Sequence, residues 1–308
     1  VKYLGAKIVN YNRDNEDLSG IAFMQSGDKS SSDDSSIDAT VFAGSIAASF
    51  GAIGGSVSIA VAIADNSIDN IVNAYVDSVV MGTDETPAGN LTVTALEKAE
   101  IDSKAQAMSF AASFSIGFAL AGGGAGTSGT ILTDTQAYVA NSTIRLSGNM
   151  EVTAENTSIA LAEVEATAAS VGLIAVAVSG SVANLTLTPT VKAYIENSDV
   201  KAEEILIKTE GNPKAHAITS GLSVSLGIGA AVGASLSSVS GTMGVSSYIG
   251  DSSIIKTTIL TVSADGKGDL LAESEASSAG VIAGAGCDSK TLSDSNILAG
   301  IGSNTKIE

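Results

Sequence analysis

The chain has 308 residues and a mass of 30.5 kDa, with only 4% aromatic residues and no Trp, so a large aromatic core is excluded. The net charge of −18 leaves no basic surface that could displace counterions from phosphates, which excludes a nucleic-acid partner. The single cysteine, Cys287, excludes an internal disulfide, while 44% hydrophobic residues argue against disorder.

The first element along the chain is a polar stretch, residues 11–38, which we expect to form long solvated loops. Residues 12–17 and the pair Asp33 and Asp34 carry oxygen ligands of the kind that calcium prefers, so weak surface binding of calcium stays open. The EF-hand spacing is not met, because Phe23 stands where a bidentate Glu is required. No other metal and no organic cofactor is expected.

A short signature then recurs along the chain: Ala, Tyr, a β-branched residue, and a Ser three to four positions after the Tyr. It begins at Ala74, Ala137, Ala193 and Ser247, and faintly at Gly300, so the chain divides into repeats of 52 to 63 residues. We predict an atypical N-terminal repeat over 1–73, then repeats over 74–136, 137–192 and 193–246, and a more polar C-terminal repeat over 247–308.

Each repeat continues with strands of period two. A first alternating strand follows the signature, as at residues 91–95, 150–154, 205–209 and 260–264. An Ala-rich strand comes next, in which Glu163 and Glu165 share one face while Ala and Val occupy the other. This second strand is predicted to be half-exposed.

The last part of each repeat has almost no charge. β-Branched or large apolar residues alternate there with Gly, Ser and Ala, as at residues 57–63 and 222–228, which favours strands over membrane-spanning helices. We predict strands of about 12 residues, roughly 40 Å long, that are buried on both faces. The most buried sheet is expected at residues 116–120, 174–178 and 222–228.

These patterns together predict an all-β fold, a β-solenoid in which each repeat contacts only its neighbours. Tyr75, Tyr138, Tyr194 and Tyr248 should then stack as a ladder at about 4.8 Å per turn. More polar end repeats are typical of solenoids, and charges enter the otherwise uncharged strands only at the two ends. Those end charges are Asp65 and Asp69 in the first repeat and Asp288, Lys290 and Asp294 in the last.

The sequence offers little for catalysis. His216 is the one histidine and lies in an Ala-rich strand, so we interpret it as a structural or surface residue. Acidic pairs recur from repeat to repeat, whereas a unique active site does not repeat. We therefore predict no catalytic, cofactor-binding or metal-binding residue and no enzyme activity. The pairs are Glu163 with Glu165, Glu203 with Glu204, and Glu273 with Glu275.

The signature with its following strands, best seen at residues 137–142 and 193–198, resembles the repeats of very large bacterial surface and secreted proteins, including leukotoxin-type filamentous adhesins. The resemblance covers residues 40–303. It implies a β-solenoid outside the cell or on its surface, with a scaffolding or adhesive task. Further repeats or copies of the chain joined end to end are the expected partners, with a host or neighbouring-cell surface as a further one, and no membrane span.

Two other functions remain open from the sequence. Alternating strands in a negatively charged chain also suit an outer-membrane β-barrel, although the absence of Trp and the six Tyr give no aromatic girdle. A β-helix enzyme acting on polysaccharides is the second alternative, since paired carboxylates serve glycoside hydrolysis. The net charge of −18 further suggests that the sides of neighbouring fibres repel each other.

Overall fold

The computed structural model describes residues 2–8, 21–22, 27–114 and 116–308, with side chains from residue 30 onward. Strands dominate these residues, and none of their segments is a helix long and apolar enough to cross a membrane. The strands in chain order are β1 (Lys2–Ile8), β2 (Ile21–Ala22), β3 (Gly27–Asp33), β4 (Ser36–Ser49), β5 (Ile53–Asp77), β6 (Val80–Met81), β7 (Leu91–Glu97), β8 (Glu100–Ser113), β9 (Ile116–Ala140), β10 (Thr143–Arg145), β11 (Met150–Asn156), β12 (Ile159–Glu196), β13 (Asp199–Lys201), β14 (Glu204–Gly211), β15 (Lys214–Ile249), β16 (Ile254–Lys256), β17 (Ile259–Gly266), β18 (Asp269–Ala279), β19 (Ile282–Ile301) and β20 (Lys306–Ile307).

The strands form three sheets, of nine, six and five strands, and the pairings within them are parallel. The chain visits the sheets in the same order again and again. A strand of the five-stranded sheet leads into a strand of the nine-stranded sheet, which folds back as a second strand of that sheet. A short strand of the six-stranded sheet follows. The prediction of an all-β fold with parallel strands is confirmed.

The parallel register aligns the tyrosines of the signature. Tyr75 pairs with Tyr138, Tyr138 with Tyr194, and Tyr194 with Tyr248. Their rings stack with centroid separations of 5.0, 4.9 and 5.0 Å and interplanar angles of 5° or less. The predicted tyrosine ladder is confirmed, and it ends where Gly300 of β19 lies opposite Tyr248.

A tight turn follows each tyrosine and explains the last part of the signature. Its central residue has a positive φ, 51° at Asn141 and 46° at Asn197, a conformation that Asn tolerates better than most residues. The Asn197 side-chain amide donates to Asn141 Oδ1 at 2.7 Å, and that of Asn141 donates to Asp77 Oδ1 at 3.0 Å. The turns are therefore tied together along the stack by their side chains.

The main aliphatic core lies where all three sheets meet. It is filled by medium-sized side chains from the ends of the long strands, the short strands and the five-stranded sheet. Because the residues of one column are in register, each layer repeats the packing of the layer before it. Fully buried members are Met81, Leu91, Ile144, Met150, Ile195, Ile205, Ile207 and Ile249.

Beyond this core the nine-stranded sheet folds back on itself as two thin layers. We call this part the blade: residues 43–64, 107–114, 116–127, 166–183, 221–237 and 276–289. Its interior consists of Ala, Ser and Gly, and hydroxyls cross between the layers. Ser109 Oγ donates to Ser58 O at 2.7 Å, and Ser223 Oγ donates to Val232 O at 2.6 Å. A Cβ on Gly221 would lie 2.8 Å from Ala234 O, so only small residues fit there.

The blade corrects the prediction that its strands are buried on both faces. The small-residue face is buried, but the large apolar residues at 116–120, 174–178 and 222–228 point outward. Leu226 and Ile228 are 60% and 68% exposed, whereas Ser225 between the layers is 3% exposed. The reason is that the two layers approach each other through their small residues, which places the large ones on the outside.

Strand lengths and the N-terminal stretch also differ from expectation. β5 and β9 have 25 residues each, about twice the predicted length, because each runs from the blade into the main core. Residues 27–33 and 36 onward are strands rather than loops, whereas residues 11–20 and 23–26 lie outside the described residues. The half-exposed Ala-rich strand is confirmed, with Glu163 and Glu165 outward and Val164 buried.

Candidate assembly surfaces

The acidic pairs lie on exposed outer faces. Glu163 and Glu165 are two residues apart on β12, and their neighbours on β8 bind them: Lys104 Nζ lies 2.6 Å from Glu163 Oε2, and Gln106 Nε2 donates to Glu165 Oε2 at 3.1 Å. Glu273 and Glu275 stand two strands away on β18, in the same registers. The two pairs thus share registers, but Ile218 and Ser220 of β15 stand between them.

The histidine sits at the edge of this acidic face. His216 Nε2 lies 3.1 Å from Asp269 Oδ2, and the Asp269 side chain is mostly exposed. The two residues lie on neighbouring strands, β15 and β18, where His216 pairs with Leu271 and Asp269 stands two residues away on the same face. The arrangement is a surface pair at the C-terminal end of the sheet.

The structure separates the two acidic residues that were considered for calcium. Asp33 is buried, and its Oδ2 accepts hydrogen bonds from Asn70 and Ser35, while Asp34 is exposed. Asn70 also donates to buried Glu97 at 3.1 Å, so Asp33 belongs to an internal polar cluster. Residues 12–17 lie outside the described residues. Over the ranges that are described, no three acidic, His or Cys side chains gather as a metal ion would require.

The C-terminal end of the stack is one candidate assembly surface. There β17, β18, β19 and β20 are the last strands of the three sheets, each with a pairing partner on one side only among the described strands. The columns of stacked core residues are also partly exposed at this end. Leu260 and Val262 are only partly buried, whereas their neighbours in the column, Ile205 and Ile207, are fully buried.

Strand β19 shows the same feature in the blade. Ala283, Ala285 and Cys287 occupy the positions that face the interior in the preceding layers, yet they are exposed. At the opposite end, Ile37 and Val41 of β4 are partly buried, while their column neighbours Ile101 and Ala105 are fully buried. A further layer at either end would complete these columns.

The outer faces of the blade are the second candidate surface. Face A is formed by the strands that run from the main core to the tip of the blade, where the nine-stranded sheet folds back (β4, β8, the first part of β12 and of β15, and β18). Face B is formed by the strands that return from the tip (β5, β9, the rest of β12 and of β15, and β19). Both expose large apolar residues, and the blade carries a single charged residue, Asp288. Exposed residues include Ile46, Met108, Leu222 and Leu226 on face A and Ile59, Val61, Ile63, Phe118, Val178 and Val232 on face B.

Large contiguous exposed apolar patches are unusual on monomers and mark interaction surfaces. Sequence reasoning recognised the alternation that forms them but assigned their direction wrongly. The available signal was the glycine content of the alternate positions, since strands packed through Gly and Ser leave too little space for Ile or Phe between them.

Comparison with protein-family models, with curated proteins and with solved structures finds no match to this chain. The geometry of the open ends and of the blade therefore carries the functional argument.

Proposed function

We propose that this chain is a structural or adhesive β-solenoid that works outside the cell or on its surface, without catalysis. In this proposal it continues end to end, either with further repeats of a longer polypeptide or with other copies in a bacterial surface filament. The repeated passage of the chain through three parallel sheets supports the solenoid, because each passage adds one strand to each of the two smaller sheets and an outgoing and a returning segment to the nine-stranded sheet.

The observation that carries the proposal is the open C-terminal end. Unpaired N–H and C=O groups along a strand edge template the addition of another strand unless charges, prolines or loops block them. Asp288, Lys290 and Asp294 stand on the outer face of β19, so they do not cover its backbone edge. The half-buried Leu260 and Val262 add apolar surface that a following layer would bury.

The proposed location outside the cell is argued from charge and from the resemblance. The charge of −18 favours a chain that stays soluble and extended, and the resemblance to large surface proteins points the same way. Adhesion to a host or neighbouring cell would use the long outer faces, which present repeated side chains at regular spacing.

Electron microscopy of the native material tests end-to-end continuation. We expect rods or filaments whose long axis is perpendicular to the strands. Isolated compact particles with both ends covered by loops would contradict the proposal.

Two proline variants of the last strand give a sharper test. Successive N–H groups of a strand point to opposite neighbours, so one of Thr291→Pro and Leu292→Pro removes an N–H that points to the open edge, and the other removes a bond to β15. We expect the first kind to stay folded by circular dichroism but to stop end-to-end growth. Growth that survives in both folded variants would count against pairing through this edge.

A further inference from the structure

At the registers of Ile59 and Val61, face B of the blade alternates between raised and low strands, whereas one register nearer the tip Leu120 and Ile282 are also large. β5 forms a ridge of β-branched residues, and β9 beside it forms a trough of glycines, in the registers Ile59 with Gly122 and Val61 with Gly124. The side chains of β12 project to an intermediate height, Val232 of β15 projects further, and β19 forms a second trough. The trough of β19 consists of Gly284 and Gly286.

We propose that face B binds face B of a second copy of this chain, around a two-fold axis that runs parallel to the strands along β12. Because the axis is parallel to the strands, residues at the same height along the strands of the two copies face each other. The order of the strands across the sheet is reversed. The β5 ridge of one copy then faces the β19 trough of the other, and the β9 trough faces the raised β15. Side by side, Ile59 lies opposite Gly284, Gly122 opposite Val232, and Val178 opposite Val178 of the second copy.

The size of the surface fits a stable pair. Five strands at about 4.8 Å and about ten residues at about 3.3 Å give a face of about 800 Å². This matches the roughly 800 Å² per partner that a standard interface buries. A two-fold axis also makes the contact self-complementary and closed, unlike the end-to-end contact.

One pair of opposite charges fits this axis. At the base of the blade, Asp65 on β5 shares its level with Ser128, Asn184, Ser238 and finally Lys290 on β19. The axis therefore places Asp65 of each copy opposite Lys290 of the other. Further from the tip, Asp69 faces Asp294 of the second copy; nearer the tip, Asp288 faces Ile63 and Ile282 faces Val57. These three are unfavourable contacts of the arrangement.

Face A does not suit the same partner. The equivalent axis on face A brings Glu163 opposite Glu163 of the second copy and Glu165 opposite Glu165, so that like charges confront each other. An axis along the stack would instead place the β5 ridges of face B against each other and leave a gap between the glycine troughs. A lipid surface is the other candidate occupant, but the outer edges of β19 and of the blade part of β5, which have no pairing partner among the described strands, would then lie in hydrocarbon.

Matched charge substitutions on the two faces test the proposal. Val178 on face B and Leu222 on face A are 45% and 44% exposed, so Glu at either position is equally compatible with the fold. We expect the wild-type chain to sediment at twice its 30.5 kDa mass, Val178→Glu at the single mass, and Leu222→Glu as wild type. A wild type of single mass, or two variants that behave alike, would overturn the proposal.

One further variant and a second measurement keep the test independent of folding and of end-to-end growth. A Cβ on Gly286 meets no atom within 4 Å, so Gly286→Val fits the chain but fills the trough, and we expect it to weaken pairing at least tenfold. Where rods form, mass per unit length replaces particle mass and should halve in Val178→Glu. Rods whose mass per length is unchanged in this variant contradict the face contact but leave end-to-end continuation intact.

A charge exchange tests the axis, and vesicles test the alternative occupant. Asp65→Lys and Lys290→Asp should each weaken pairing, and the double variant should restore it. Two single variants that pair like wild type would overturn the arrangement. Wild-type chain that floats as a monomer with phosphatidylcholine vesicles would identify lipid as the occupant and reject the proposal.

Discussion

Asn197 and Asn141 occupy equivalent turns of adjacent layers, and the side-chain amide of Asn197 donates to Asn141 Oδ1 at 2.7 Å. Both residues have positive φ, so each supplies a backbone conformation and a link to the next layer at once. This dual role accounts for the Asn in the turns that follow Tyr138 and Tyr194 better than either function alone.

Substitutions at Asn197 separate the two contributions. Asn197→Ala loses the side-chain hydrogen bond and strains the left-handed backbone, and we expect it to lower the free energy of unfolding by about 1–3 kcal/mol. Asn197→Gly keeps the backbone freedom and should cost less than Ala. Urea denaturation measures both, and equal losses in the two variants would contradict a role for the backbone conformation.

Substitutions at the turn of the blade should follow burial rather than hydrophobicity. A Cβ on Gly227, whose φ is 142°, would lie 1.7 Å from Gly172 O, so Gly227→Leu combines strain with overpacking and should cost about 3 kcal/mol or more. Leu226→Ala removes an exposed side chain and should change stability by less than about 0.5 kcal/mol. Thermal unfolding ranks them, and a larger loss from Leu226→Ala would place the buried face on the wrong side.

The tyrosine ladder should weaken in alkali. Burial raises the pKa of Tyr194, and the neighbouring Tyr248 and Tyr138 raise it further. Burial, followed by the charge of Glu196, also raises the pKa of Tyr248. Because the folded-state pKa lies above the unfolded value near 10, the unfolded chain loses its protons first, and stability falls as the pH rises above about 10.

Phenylalanine variants check this assignment. Tyr194→Phe keeps the stacked ring but has no proton to lose, so its urea midpoint should fall less than that of wild type between pH 9 and pH 11. An identical fall in both proteins would mean that other groups cause the alkaline loss.

Arg145 should matter more than the other cations. It forms a two-pronged contact with Asp199, with Nη2 to Oδ2 at 2.7 Å and Nη1 to Oδ1 at 3.0 Å, and its side chain is largely buried. Arg145→Lys loses the planar fork and should cost about 1–2 kcal/mol. Lys104→Met, at an exposed pair with Glu163, serves as the control and should leave the urea midpoint unchanged in high salt.

Much of the fold was predictable because the repeats are close in sequence. Tyr75 and Tyr138 have the same neighbours, so their stacking followed from repetition alone. The direction of the blade faces was not predictable in the same way. Period two identifies two faces at Leu226 and Ser225 but does not say which one is buried, and hydrophobicity favours the wrong answer when two layers pack through backbone and small side chains.

The two candidate surfaces also differ in how far the sequence predicts them. Open ends followed from the repeat pattern, whereas the trough and ridge of face B depend on the register between strands that are 52 to 63 residues apart. A single residue of slip would place Ile59 beside Gly123, which points inward. The complementarity of face B is therefore a property of register and was out of reach of a strand-by-strand interpretation.

The interior of the blade provides the last prediction. Ser223 is fully buried, its Oγ donates to Val232 O at 2.6 Å, and it lies 2.9 Å from Ser179 Oγ. Ser223→Ala removes these contacts but keeps the layers together, with an expected loss of about 1 kcal/mol. In Ser223→Val the new side chain is no larger than many in the core. It must nevertheless push the layers apart, because neighbouring Gly221 already lies against the opposite backbone. We expect Val to cost at least twice as much as Ala. Urea denaturation of the two variants decides the matter: a Val variant as stable as wild type would mean that the layers of the blade are not close-packed through their small residues.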